Sequence, residues 1–333
     1  MSCRHGIECT EQECLYSPSH WSTTSESPEL VIEKFIATMQ SCYHENLRII
    51  PLQQSICYGD GKQMIDIWGD EIKSTKAMIL FHGGYWQEGD RKLFTSPVKI
   101  LVDEGFVVAC VGYDFATTIG LNSVVEEATK ALDFLAKRWP DKMLSIGGHS
   151  AGAHLALSAL MNLGEDAHQY QKIILFSGIY DLHPLLDTYI GKAINLSLVE
   201  AKRLSLISLE KISTELLVII GADESPKFKE QNQHMVENYM KKYHTKNITD
   251  CYKNSLFTLK SDQIDKTQCS RECLSVAKEE DSFAKKMPIK RLAKRSIEIR
   301  LKAPVDRERE DYKTFKGIKL PMSDAMSDVD LEK

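Results

Sequence analysis

Apolar residues in this chain recur in two patterns. Continuous short runs occur at KAMILF (76–81), FVVACVGY (106–113), MLSIGG (143–148), KIILFSG (172–178) and ELLVIIG (215–221). Runs of this length suit β-strands covered on both faces. Between them the period changes. Leu121, Val124, Val125, Ala128, Leu132 and Leu135 repeat at helical spacing and predict an amphipathic helix over 121–138. Asn122 is a candidate cap for its start, and Pro140 marks its end. Further helices are expected from near Ala151 and from Pro226 to about residue 243. Strands alternating with helices predict an α/β fold: a mostly parallel sheet with helices on both faces. Functional groups in such sheets gather beyond the carboxyl ends of the strands. The places to look are therefore just after Phe81, Gly148 and Gly221.

The chain changes character near residue 250. Up to there the alternation is regular. From 251 to 333 charged residues become frequent and apolar runs short, which predicts little fixed structure over 258–333. This last part holds KKMPIKRLAKR (285–295), a candidate basic patch. Flanking acidic residues make a solvated charged segment the plainer reading. Across all 333 residues, 42 Lys and Arg face 47 Asp and Glu, so net charge gives no reason to expect nucleic acid or an anionic membrane as partner. No apolar run is long enough to span a bilayer, and the first residues carry no apolar signal core. The nine cysteines are odd in number and not framed for disulfides. These features predict a reducing, cytosolic location. Cys3, Cys9 and Cys14 lie near His5, and Cys269 precedes Cys273. Neither group has the paired spacing of a structural zinc site, so no metal is expected.

GHSAG (148–152) follows the run MLSIG and precedes the apolar stretch AHLALSALM. That is the strand–turn–helix setting of a G-x-S-x-G nucleophile elbow. Ser150 would project its hydroxyl from a tight turn, and the Ala151 N–H would face an oxyanion formed at a substrate carbonyl. HGGYW (82–86) follows KAMILF directly. Gly83 and Gly84 would let backbone N–H groups approach the same oxyanion. His82 reads as a brace for this loop. Tyr85 and Trp86 would wall an aromatic pocket, with core packing the alternative for Trp86. After ELLVII, Asp223 and Glu224 stand where an orienting carboxylate belongs, one expected to orient and the other to cap the helix from Pro226.

These pieces together resemble the kynurenine formamidase (arylformamidase) family of the α/β-hydrolase superfamily. YSPSHW (16–21), YGDG (58–61) before MIDIW, HGGYWQEG (82–89), GHSAGAHLA (148–156), SGIYDLHPL (177–185) and ESPKF (224–228) carry the resemblance, over about 14–250. It implies hydrolysis of N-formyl-L-kynurenine to L-kynurenine and formate, in tryptophan breakdown. Ser150 matches the nucleophile, and Gly83, Gly84 and Ala151 match the oxyanion donors. The register of Ser225–Pro226 favours Glu224 as the acid over Asp223. The family needs no metal or organic cofactor, and a homodimer is its usual assembly.

One part of the pattern is missing. The family places its histidine in a D-H-F-like stretch beyond the acid. All ten histidines here lie at or before His244. If Phe257 matches the family's phenylalanine, Leu256 occupies the histidine position, and leucine cannot move a proton. His82, His149, His154, His234 and His244 fit the role poorly by position. His183, after the run 172–178, is the best placed of the rest. The resemblance thus implies a hydrolase domain over 1–250 without its usual C-terminal end, followed by 251–333. Three readings follow: an arylformamidase; an inactive hydrolase-like binding protein, or a splice or gene-model variant without the histidine; and a broad carboxylesterase.

Overall fold

The computed structural model describes residues 7–23, 26–207, 214–221, 223–242, 258–259 and 298–301. In chain order its strands are β1 (Leu52–Cys57), β2 (Met64–Trp68), β3 (Lys76–Phe81), β4 (Phe106–Val111), β5 (Met143–His149), β6 (Tyr170–Phe176), β7 (Glu215–Gly221), β8 (Thr258–Leu259) and β9 (Glu298–Leu301). In space they run β1-β2-β4-β3-β5-β6-β7-β8, with β9 also pairing with β7. The pairs from β4 through β8 are parallel; β1–β2, β2–β4 and β7–β9 are antiparallel. Apart from β8 and β9, the expectation for 258–333 falls outside the described residues, as do the basic run 285–295, His244, Leu256 and Phe257.

The strands are apolar throughout because both faces of the sheet are covered. Successive side chains point to opposite faces. Ala77, Ile79 and Phe81 of β3 and Val107, Ala109 and Val111 of β4 enter one core. Met78, Leu80, Val108 and Cys110 from the same strands enter a second core on the other face. The helices are α1 (Glu11–Leu15), α2 (Pro28–Ile49), α3 (Val98–Asp103), α4 (Ala116–Ile119), α5 (Leu121–Arg138), α6 (Ala151–Asn162), α7 (Tyr189–Ala193), α8 (Leu198–Leu204) and α9 (Pro226–Lys242). α5 and α6 fill the first core; α3 and Tyr43 of α2 fill the second. No described helix is long and apolar enough to cross a membrane.

This is the α/β-hydrolase architecture expected from the sequence. Several local expectations change. The helix over 121–138 begins as predicted, but Gly120 stands at its N-cap and Asn122 lies inside the first turn, donating to Glu126 at 2.7 Å. Ser225, not Asp223 or Glu224, caps α9, its Oγ accepting from the Phe228 N–H at 3.2 Å. A serine side chain is short enough to turn back to the third N–H of a helix, so neither acid performs that task.

Candidate active site

The elbow around Ser150 is built by steric exclusion. Ser150 joins β5 to α6 with φ 55° and ψ −118°, a conformation that L residues rarely adopt. Such strain costs on the order of 1–3 kcal/mol and persists only where neighbours over-determine it. Here the Ser150 N–H donates to the Phe176 carbonyl at 2.8 Å, at the end of β6. A Cβ on Gly148 would stand 2.1 Å from the Gly152 carbonyl oxygen. A Cβ on Gly152 would stand 2.1 Å from the Phe81 oxygen. Both glycines are therefore required by the close approach of backbone to backbone. The turn places Ser150 at the N-terminus of α6, where the positive end of the helix dipole favours an anion. Ala151, which opens that turn, is fully buried.

The loop after β3 closes against the same point. A Cβ on Gly83 would lie 3.2 Å from Ser150 Cβ and 2.9 Å from the His149 oxygen, so the loop backbone passes directly over the elbow. Gly84, Tyr85 and Trp86 all have positive φ, at 116°, 49° and 60°. The Gln87 and Glu88 N–H groups both donate back to the Gly84 carbonyl, at 2.9 and 3.2 Å. His82 is buried and stacks on Tyr113, with ring centroids 4.2 Å apart. Its Nδ1 lies 2.7 Å from the Gly83 carbonyl, and the Tyr113 hydroxyl donates to the His82 carbonyl at 2.8 Å. Burial lowers the His82 pKa to about 4, so the ring is neutral near pH 7. This is bracing geometry.

Trp86 is fully buried, with its ring edge-on to His154 at 5.0 Å, and packs in the core rather than lining an opening. Tyr85 is half-buried and donates its hydroxyl to the Tyr16 carbonyl at 2.6 Å. Tyr16 belongs to the N-terminal segment, and Gln231 of α9 donates to its hydroxyl at 3.0 Å. The sequence marks YSPSHW only as a family signature and gives no sign that Tyr16 joins the loop after β3 to α9. Nor does it single out Glu88, whose carboxyl is half-buried beside Gly84 and raised by burial to about 8. Only its place in the run HGGYWQEG points to it.

The two acids follow β7 in a tight turn, the Glu224 N–H reaching the Gly221 carbonyl at 3.2 Å. Glu224 is buried and Asp223 half-buried. Burial, first of all, holds the Tyr85 hydroxyl well above its usual pKa, with smaller contributions from Tyr189, Tyr16 and Glu224.

Among the described residues, His154 and His183 are hydrogen-bonded to groups other than Ser150. The His149 ring leans toward Phe94 and Phe35, at 5.9 and 6.5 Å, and burial lowers its pKa to about 4. His154 lies within α6 with Nε2 2.8 Å from the Leu204 carbonyl, its pKa also lowered by burial to about 4. His183 is half-exposed with Nδ1 2.7 Å from Asp181 Oδ1. His234 is exposed on α9. Among the described residues no histidine nitrogen is hydrogen-bonded to the Ser150 hydroxyl.

The family model described as BD-FAE matches residues 65–195, from β2 through the elbow to α7. The chain is 30% identical over 239 residues to the kynurenine formamidase of Danio rerio, covering 67% of this chain and 80% of that protein. It is 26% identical over 268 residues to the kynurenine formamidase of Drosophila melanogaster, covering 72% and 88%. Among solved structures, a putative thioesterase from Silicibacter sp. TM1040 superposes with a TM-score of 0.61 at 21% identity, over 69% of this chain and 88% of that one.

Proposed function

Because the chain belongs to the kynurenine formamidase family of hydrolases, we propose that it hydrolyses N-formyl-L-kynurenine to L-kynurenine and formate, in the kynurenine pathway of tryptophan catabolism, with Ser150 as nucleophile. The observation that carries this reading is the meeting of the strained Ser150 turn with the Gly83 backbone, so close that a Cβ on Gly83 would lie 3.2 Å from Ser150 Cβ. Ser150 Oγ attacks the formamide carbon. The N–H groups of Gly83, Gly84 and Ala151 receive the oxyanion, each such donor worth about 3 kcal/mol in the transition state. The carbon–nitrogen bond breaks and the aniline nitrogen leaves with a proton. Water then attacks the formyl ester and releases formate. Glu224, the buried one of the two acids that follow β7, serves as the acid in preference to Asp223.

The step without an assigned group is removal of the serine proton. That observation favours a second reading, a binding protein on a hydrolase scaffold, because His82 and His154 are buried, His149 is half-buried with its pKa lowered to about 4, and His183 is held by Asp181. Formate release from N-formylkynurenine by the wild-type chain and by Ser150→Ala separates the two. Turnover that falls by on the order of 10³-fold or more in the variant supports the hydrolase. Binding of N-formylkynurenine without turnover supports the scaffold reading. Cleavage of p-nitrophenyl esters without formamide cleavage supports a broad carboxylesterase instead.

A further inference from the structure

The N-terminal segment gathers three potential metal-ligand atoms, two sulfurs and an imidazole nitrogen. Cys9 Sγ, Cys14 Sγ and a ring nitrogen of His20 all lie within 4.8 Å of one another, with Cys9 Sγ 4.0 Å from His20 Nδ1. We propose that these three side chains bind a divalent metal ion of the zinc class, and that the ion clips the Pro18–Trp21 turn to α1 and so fixes the shape of the N-terminal segment. The sequence alone sets Cys9 and Cys14 beside Cys3 and His5 and predicts no metal. The fold brings in His20 from the far side of α1, completing a C-x4-C-x5-H set.

The ligand-bearing turns are held by bonds that owe nothing to a metal. Thr10 and Glu13 form a capping box at the start of α1, directly between Cys9 and Cys14. The Cys14 N–H donates to the Thr10 carbonyl at 3.0 Å, and the His20 N–H to the Ser17 carbonyl at 3.1 Å. Trp21 Nε1 donates to the Cys14 carbonyl at 2.9 Å and folds the Pro18–Trp21 turn back onto α1. Cys14 is buried, while Cys9 and His20 are half-buried, so an ion has a route in from solvent. Glu13, between the two cysteines, is engaged by Thr10 and by the Tyr189 N–H.

The dimensions suit the ion. Bonds of about 2.3 Å to sulfur and about 2.0 Å to nitrogen, in tetrahedral geometry, space the ligand atoms about 3.5–3.8 Å apart. The Cys9–His20 pair needs to close by only about 0.5 Å from 4.0 Å. Two thiolates neutralise the dication, the imidazole supplies a neutral third donor, and water fills the fourth position. Binding displaces the thiol protons, so affinity rises with pH. A Cys9–Cys14 disulfide is the competing use of the same sulfurs, and it makes no use of His20.

The clip acts next to the site. Between its ligands lie Tyr16, whose carbonyl accepts from Tyr85, and Ser17, whose hydroxyl pairs with that of Tyr189 at 3.0 Å. The test is titration of the reduced, chelator-treated full-length chain with Co²⁺, read by absorption. The expected result is one equivalent bound, with a thiolate-to-cobalt charge-transfer band that Zn²⁺ abolishes. Cys9→Ser and Cys14→Ser should lose the band, His20→Ala should weaken binding, and Cys57→Ser should leave it unchanged. Zn²⁺ should also raise the melting temperature of the wild type and not of Cys9→Ser. Because Cys9 and His20 are only half-buried, unchanged circular dichroism of their variants checks that loss of binding is not loss of fold. Absence of a thiolate band, its survival in both Cys9→Ser and Cys14→Ser, or a resting Cys9–Cys14 disulfide that reductant opens without gain of metal binding would each overturn the proposal.

Discussion

At the scale of single residues, the site depends on what is missing from Gly148 and Gly152. A methyl group at residue 152 would meet the Phe81 carbonyl oxygen at 2.1 Å, and carbonyl oxygens at the end of a parallel strand have little freedom to retreat. Gly152→Ala should therefore move the elbow by a fraction of an ångström and cost formate release on the order of 10²-fold. Its melting temperature should fall as well; steady-state kinetics beside a thermal melt checks both. The buried side chains set the pH response. His82 and His154 sit at about 4 in the folded chain against 6.5 unfolded. Between pH 6.5 and 4 the unfolded chain takes up protons that the folded chain refuses, so stability falls as pH falls, by roughly 3 kcal/mol for each ring. His149 acts in the same direction. Glu88, raised from 4.5 to about 8, opposes them: its contribution is present at low pH and is lost as pH rises toward 8. Three histidines outweigh one half-buried carboxyl, so urea melts should show maximal stability near pH 6.5, a shallow decline toward pH 8 and a steep one below pH 6. A flat profile between pH 6.5 and 5 would contradict the burial of these rings. The serine, the two glycine pairs and the acids are legible in the sequence because each belongs to a short contiguous motif. The proton acceptor that the proposed reaction needs is not, because a base is defined by a distance to the serine hydroxyl and not by a neighbour in the chain.

At the scale of elements, legibility follows burial. β3 through β7 announce themselves because both of their faces are covered, which makes the runs continuously apolar. β1 is only partly buried and reads as the polar string LQQSIC, and β2 carries Asp66 in its middle; neither matches the template of a buried strand. α2 is hidden for a related reason: only Phe35, Met39, Tyr43 and Asn46 of its 22 residues are buried, a narrow stripe on a long polar helix. Asp66 is the informative exception. It is fully buried, accepts the Ser55 N–H at 2.8 Å, and pairs with Arg91 Nε at 2.8 Å. Arg91 lies just beyond the run HGGYWQEG, so the pair ties β2 to the loop that presents Gly83 and Gly84. Arg91→Met leaves a buried carboxylate without its cation and should destabilise the chain by about 3–5 kcal/mol. Adding Asp66→Asn should recover a substantial part of that loss, since the uncompensated charge is then gone. Equal denaturation midpoints for Arg91→Met and the wild type would show that the pair carries no such weight.

At the scale of the whole molecule, the N-terminal segment is what the sequence conceals most. YSPSHW is recognisable as part of a family pattern, yet nothing in its composition tells where it lies, because its partners stand far away in the chain. Gln12 donates to the Pro184 carbonyl, Glu13 accepts from the Tyr189 N–H, and Tyr16 accepts from Gln231. Tyr16 is almost fully buried, with its ring 6.1 Å from that of Phe228 at the start of α9. The segment thus joins α7, α9 and the loop after β3, three pieces of chain that the sheet alone does not connect. Two variants separate its bonds from its bulk. Tyr16→Phe removes one hydroxyl and keeps the ring, so it should cost about 1 kcal/mol, with a small drop in melting temperature. Deleting residues 1–21 removes the ring, the Tyr85 acceptor and the contacts to Tyr189 together. It should lower the melting temperature several times further and raise KM for N-formylkynurenine more than it lowers kcat, because Ser150 and its glycines are held by β3, β5 and α6. If the deletion instead matches Tyr16→Phe in both measurements, the segment is an ornament on a complete domain. If kcat collapses while KM stays, the Tyr85–Tyr16 bond is holding the oxyanion donors themselves in place.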